Sequence, residues 1–434
     1  MSPRTTLAVA ALLVGLATAL LLATDEWSVG THDDGSPRWK YVLEDVHDRN
    51  VFQQRGRWLP SGRTPYLAEH SEYPQVATWM LALPYLFIEH HVEPAPKPDN
   101  SVAALSRDRA AYFDAYHVMM ACWILAAIAA AVAGLVALGR PPAYALLLLL
   151  PASLYYGYNR FDVVPAAITG AALWLQLSHR TRAAALVLGV GAMTKWYPIL
   201  LLPLFCAYEV RRRREGRDGL AAQPLGTALL GGLVVPGLLA GGVCLALLGV
   251  TWLWDGGGLE AVTYVYSHHM GRAPNPASVI TALVHRWGWV SPDGQPGLER
   301  VFTALQFLPA ALLALAPVRD RDALLRGCLA VVLGFVAFSK VFSPQWILWI
   351  NSVALLAAPR SRAVLAFAVV LDLAIYVQSP LLYYEGLSVT AAGFSQSTAF
   401  LRACDLRIVL LFAFWAFAVA TFLRSSRRAP AGSL

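Results

Sequence analysis

The chain has 434 residues, 57% hydrophobic and only 14% charged, against about 25% charged in an ordinary soluble domain. That balance leaves little room for a soluble globular enzyme and points to an all-α polytopic membrane protein. The formal charge of +7 does not mark a nucleic-acid binder, because most basic residues lie in short clusters between apolar runs, where they act as topology signals.

The first apolar run, 5–24, has no convincing small-residue cleavage site and is followed by many others, so it reads as a first membrane helix rather than a leader. Further spans are predicted at 111–138, 141–158, 161–178, 183–195, 197–210, 226–253, 299–317, 323–341, 344–358, 362–384 and 404–424, about twelve in all. The stretch 76–88 is short and contains Pro84, which suits a re-entrant or interfacial helix better than a crossing. Residues 1–424 thus form a single membrane domain with a long first loop, 25–110, and a tail, 425–434. The five cysteines fall in or beside spans with no CxxC or ligand spacing and read as small apolar residues.

Loop charge sets the orientation. Arg140, Arg180, Arg182, Arg211 to Arg214, Arg217, Arg319, Arg321, Arg326, Arg360, Arg362, Arg424, Arg427 and Arg428 share one side with only four acids. By the positive-inside rule that side is the cytoplasm, and both termini lie there. The loops 25–110, 254–298 and 385–403 face the other side. Arg160, Asp162, Lys195 and Lys340 then emerge at the same extracytoplasmic face, where charge close to hydrocarbon is costly and is kept for a partner or a substrate.

Segment 25–75 carries nine acids against six bases, and long loops of this kind are commonly functional. It ends in Gly62-Arg63-Thr64-Pro65-Tyr66 and Ser71-Glu72-Tyr73-Pro74-Gln75. A second cluster, Tyr155 to Asp162, is an aromatic belt with one guanidinium and one carboxylate; Asp162 is placed either to orient Arg160 or to act as a base. Thr194-Lys195-Trp196-Tyr197-Pro198 interrupts an apolar stretch with charge and proline, a break at which a lysine can neutralise phosphate. The loop after 226–253 offers His268, His269 and Arg272, then Asn275 and Ser278, donors for a phosphate, with a histidine able to move a proton. Phe338 to Trp346, with Lys340 and Gln345, is another Lys-Pro break. Two adjacent histidines without an acidic or thiol partner make a poor metal site, so no metal is assigned. Cations, a histidine, aromatic walls and an acidic loop at one face fit an amphipathic phosphate with its tail in lipid.

At these residues the chain resembles the polyprenyl-phosphate-dependent glycosyltransferases of the membrane-embedded C-type fold (GT-C), glycosyltransferase family 87 above all. The matching runs are Gly62 to Pro74, Asn159 to Asp162, Thr194 to Pro198, His269 with Arg272 and Ser278, and Phe342 to Gln345. Two departures stand out, Gln75 where the family more often has a second proline and Ala277 where it often has Glu. The resemblance implies a GT-C-like bundle that transfers a sugar, commonly mannose, from a polyprenyl monophosphate to a lipid or cell-envelope glycan outside the cytoplasm, with inversion. It implies an Asp of the first loop as general base. Spacing to Gly62 favours Asp48; the cluster near the first span favours Asp34 or Asp33. Tyr66, Glu72, Arg160, Asp162, Lys195, Tyr197, His269, Arg272, Lys340 and Gln345 are the expected substrate contacts. No cofactor, nucleotide or obligatory metal is expected, with a divalent ion on the phosphate as the alternative. A transporter or flippase of lipid-linked sugars is the rival reading; it would need the same cations but no base.

Overall fold

The computed structural model describes residues 1–24, 46–88, 107–383, 388–390 and 393–427. Its main helices are α1 (Pro3–Thr24), α2 (Val46–Gly56), α3 (Gln75–Ala82), α4 (Arg107–Ala137), α5 (Pro151–Asn159), α6 (Val163–Leu177), α7 (Thr181–Ala192), α8 (Leu202–Arg214), α9 (Leu225–Trp254), α10 (Leu259–Gly271), α11 (Gln295–Leu315), α12 (Arg321–Ala337), α13 (Ile347–Ala357), α14 (Arg362–Tyr376) and α15 (Thr398–Arg427). A small antiparallel hairpin pairs Ser388–Thr390 with Gly393–Ser395.

Among the described residues, six helical runs are long and apolar enough to cross a membrane: Pro3–Ala23, Ala111–Ala137, Leu225–Trp254, Pro292–Leu315, Arg362–Leu382 and Thr398–Ser426. The chain is therefore a multi-pass α-helical membrane protein. Several other apolar stretches are broken. The run expected as one span at 141–158 divides at Leu150 into a tight 3-10 stretch, Pro142–Leu149, and α5. Pro151 has no N–H with which to continue the ladder. The N–H groups of Ala152 and Ser153 instead donate to Asp372 of α14 at 2.9 and 3.1 Å, joined by Ser153 Oγ at 2.7 Å and Asn351 Nδ2 at 3.0 Å. A helix break inside an apolar bundle persists only with partners of this kind.

The centre of the bundle is α13, all of whose 11 residues are buried. It packs on α4, α6, α12 and α14. At about 1.5 Å per residue it is too short to cross about 30 Å of hydrocarbon unaided. The stretch 76–88 forms α3 and a 3-10 turn, Leu83–Leu86. Most of α3 is buried, because α2 lies directly across it: a Cβ on Gly56 would meet the Leu81 carbonyl oxygen at 2.2 Å. Only glycine fits that approach.

Chain reversals gather at two ends. At one, Arg140 bonds Asp322 and the Leu356 carbonyl, Arg321 donates to the Ala137 carbonyl at 3.0 Å and to His179 at 2.7 Å, and Arg217 donates to the Arg319 carbonyl. These are the arginine-rich loops, brought together. The other end holds the C-termini of α5, α7 and α12 and the start of α6.

Candidate active site

After α7 the chain turns through Thr194 and Lys195 into a 3-10 turn, Tyr197–Leu201, containing Pro198. The turn delivers Lys195 to the start of α6, where its Nζ lies 3.6 Å from Asp162 Oδ1. Asp162 is thus turned to Lys195, with Arg160 also within electrostatic reach. Three rings close around the ammonium: Phe161 at 4.4 Å, Tyr73 at 5.6 Å and Trp349 at 6.0 Å from centroid to Nζ. Aromatic faces stabilise a cation while keeping water away. The Lys195 side chain is 21% exposed and that of Asp162 is 1% exposed, so the lysine is the member of the pair that reaches solvent. The carboxylate is buried against the Lys195 ammonium, with the Trp349 indole a further donor acting on it.

The outer wall comes from the first loop. Arg55 of α2 bonds Glu72 at 2.6 Å and the Glu69 carbonyl at 2.8 Å. Phe52, one turn earlier, is buried edge-on to Tyr73 and Phe161, at 6.0 and 5.6 Å. Tyr66 donates to the Tyr73 carbonyl at 2.9 Å, and Thr78 to the same carbonyl at 3.0 Å. Burial pushes the Tyr73 phenol well above its usual range; the charges of Glu72 and Asp162 add to this, while Arg55 and Arg272 oppose it. Tyr73 thus stands within electrostatic reach of both carboxylates and both guanidiniums.

The opposite wall is α10 and the chain that follows. Trp196 stacks on Tyr266 at 5.1 Å and meets His269 edge-on at 5.5 Å. His269 Nε2 lies 3.0 Å from the Glu72 carbonyl oxygen. A carbonyl only accepts, so Nε2 carries the proton and Nδ1 is left as an acceptor in the neutral ring. Burial, reinforced by the charges of Lys195, Arg272 and then His268, lowers the His269 pKa to about 4. A neutral ring of this kind keeps Nδ1 as an acceptor, the form in which a histidine can take up a proton. Lys340 donates to the Met270 carbonyl at 2.8 Å and lies 3.9 Å from Glu299. Asn275 and Phe342 exchange two bonds, Nδ2 to carbonyl at 2.6 Å and N–H to Oδ1 at 3.1 Å, which fixes the chain after Arg272 to the Lys340 break.

Of the residues expected in the site, Asp162, Lys195, Glu72 and His269 come together through these contacts, with Arg272 within electrostatic reach. Lys340 meets the end of α10 at Met270 but lies on the α11 side beside Glu299, and Arg160 sits between α5 and Asp162 in the chain. Gln345 is buried at the second break, with its Oε1 lacking a hydrogen-bond partner among the described residues. Tyr66 and Tyr197 stand behind the walls: both are fully buried, and the Tyr197 hydroxyl donates to the Pro165 carbonyl at 3.1 Å while its ring stacks on Trp349 at 4.3 Å. Asp33 and Asp34 lie outside the described residues; Asp48 falls in the first turn of α2, with its side chain also outside them.

Arg55, Trp349 and Arg407 escaped the sequence reading. Arg407 is fully buried in α15, 3.5 Å over the Phe342 ring, donating to Gln378 Oε1 at 3.1 Å and to the Ala277 carbonyl. A charge inside an apolar span was its visible signal. Among the described residues no group of three or more His, Cys, Asp or Glu side chains is placed to hold a metal ion.

The model of glycosyltransferase family 87 matches residues 109–284, a stretch that contains Arg160, Asp162, Lys195, His269 and Arg272. GPI mannosyltransferase 1 of Aspergillus fumigatus is 24% identical over 402 residues, covering 83% of this chain and 88% of that protein.

Proposed function

We propose that the chain is a membrane glycosyltransferase of the family 87 type that transfers mannose from a polyprenyl monophosphate to a hydroxyl of a lipid or cell-envelope glycan, with inversion, on the extracytoplasmic side. The observation that carries this reading is Lys195, held by Asp162 in a box of Phe161, Tyr73 and Trp349 within electrostatic reach of His269 and close to Arg272. Such a cation, poor in water yet partly exposed, suits a phosphate whose negative charge grows as the sugar leaves.

In the proposed reaction a carboxylate takes the proton of the acceptor hydroxyl as its oxygen attacks the anomeric carbon. The carbon–oxygen bond to phosphate breaks on the opposite face, and the departing polyprenyl phosphate is stabilised by Lys195, Arg160, Arg272 and Lys340. The base is an aspartate of the first loop. Asp48 gains support because it lies one turn before Phe52, which packs on Tyr73 and Phe161; Asp33 and Asp34 are its competitors. Residues 1–424 form one GT-C-like domain of about twelve crossings, the shorter helices included, with the arginine-rich end and both termini in the cytoplasm. No metal has a part in this scheme.

The test is incubation of purified protein with radiolabelled polyprenyl-phosphate mannose and a membrane lipid extract. Wild type should release polyprenyl phosphate and label an acceptor. Removal of the base by Asp→Asn should lower transfer by about 100-fold or more with donor binding retained. Lys195→Ala should weaken donor binding by about 10-fold or more, as loss of a charge-assisted contact predicts. Transfer unchanged in Asp33→Asn, Asp34→Asn and Asp48→Asn alike would overturn the assignment of the base to the first loop.

A further inference from the structure

At the arginine-rich end, away from the transfer site, α8, the first half of α9 and the C-terminal end of α11 enclose a groove of about 810 Å³, within the range of about 300–1,000 Å³ usual for ligand sites. Its walls are apolar: Ala207 and Val210 from α8, Leu229 and Leu233 one turn apart on α9, and Leu315 and Pro317 from α11 and the turn after it. Leu233 is 46% and Leu315 83% exposed. The apolar windows of the runs that contain α9 and α11 are only 11% and 22% buried within the protein, so both helices border the bilayer. One wall is fixed, since a Cβ on Gly232 would lie 2.8 Å from the Val210 backbone nitrogen, which lets α9 lean directly on α8.

The rim of the groove carries Arg211, Arg214 and Glu215. The nearby acids are already engaged. Glu209 binds Arg212 at 2.8 Å and Arg213 at 2.6 Å, and Glu215 binds Arg211 at 2.7 Å and also Arg217. Arg214 is exposed and has no acidic partner among the described residues. The groove therefore joins an apolar trough, open to lipid, to a rim with surplus positive charge at headgroup level.

We propose that this groove binds an anionic phospholipid of the surrounding bilayer, with its phosphate between Arg211 and Arg214 and its acyl chains along Leu229, Leu233 and Leu315. Charge selects the occupant: a zwitterionic lipid would bring an ammonium to the same guanidiniums, whereas a headgroup with net negative charge does not. The site is independent of donor and acceptor.

Thermal unfolding of the purified chain in nanodiscs of phosphatidylcholine, with or without one fifth phosphatidylglycerol, tests it. Phosphatidylglycerol should raise the Tm of wild type by about 3 °C or more. Arg211→Glu combined with Arg214→Glu should abolish that increment, and Arg214→Glu alone, at a site with no acidic partner, should reduce it by at least half if the double variant folds poorly. Leu229→Trp, which fills the trough, should also reduce it. Arg182→Glu, an exposed position of the same end outside the groove, should keep it. An increment absent in wild type, unchanged by Arg214→Glu, or lost equally in Arg182→Glu would overturn the proposal.

Discussion

Lys195 and His269 show how one small volume sorts its charges. Burial lowers the pKa of the Lys195 ammonium, with Asp162 opposing that shift and Arg160 and Arg272 adding to it, whereas the histidine, between burial and neighbouring cations, loses its proton. The sign of the resulting pH dependence follows. A histidine whose folded pKa of about 4 lies below the unfolded value of about 6.5 disfavours protonation in the native state. Its contribution is complete above pH 6.5 and is lost as the pH falls from there toward 4. Glutamine can keep the donor that His269 offers to the Glu72 carbonyl without titrating. In His269→Gln, Tm should therefore fall less steeply than in wild type between pH 6.5 and 4.5 and match it near pH 7.5. Parallel curves across that window would show that His269 is not the group being protonated. The same comparison separates it from the carboxylates, which titrate in both proteins.

At the scale of the element, the breaks matter more than the helices. Pro151, Pro198 and Pro344 each stop an apolar run, and each break needs partners from elsewhere. For α5 these are Asp372, Asn351 and Ser153. Asp372→Ala should leave the Ala152 and Ser153 N–H groups unsatisfied and cost about 2–4 kcal/mol, read as a lower Tm in detergent. Asp372→Asn, which can still accept from the backbone, should cost less. If Asp372→Ala unfolds with wild type, the carboxylate is not what holds the start of α5. The apolar runs, the short nature of 76–88 and the Lys-Pro breaks were legible in the sequence, because proline and charge interrupt hydropathy wherever they fall. The Asp372 network was not, since its members are spread over three spans and only contact in space gives them meaning; the lone acid in 362–384 was the available sign. Nor could spacing show that Asp162 turns to Lys195, because that choice depends on how the end of α7 meets the start of α6. Arg407 was hidden for the same reason: it braces Ala277 and Phe342 from a helix more than 60 residues away in the chain.

For the molecule as a whole, the decisive quantity is the separation of charge between its two ends. Thirty-four Lys and Arg against 27 acids would mean little if mixed, but the arginines of the 140, 179–182, 211–217, 319–326 and 360 reversals meet at one end through shared bonds. The pairs there use acids sparingly and leave a positive surplus, the pattern that the positive-inside rule associates with cytoplasmic loops. The site lies at the opposite end, and the proposed orientation therefore predicts that it faces the extracytoplasmic side. Ala221 and Thr263 are exposed at the two ends and serve as reporters once Cys122, the exposed native thiol, is replaced by serine. A membrane-impermeant maleimide should label Thr263→Cys in intact cells and Ala221→Cys only after permeabilisation. The reverse pattern would place Lys195 and His269 in the cytoplasm and require a donor presented on that side; labelling of both in intact cells would mean that the two ends are not separated by the membrane at all. Where only one reporter is labelled in intact cells, a bilayer lies between them, and the pattern fixes the side of the site without any assay of transfer.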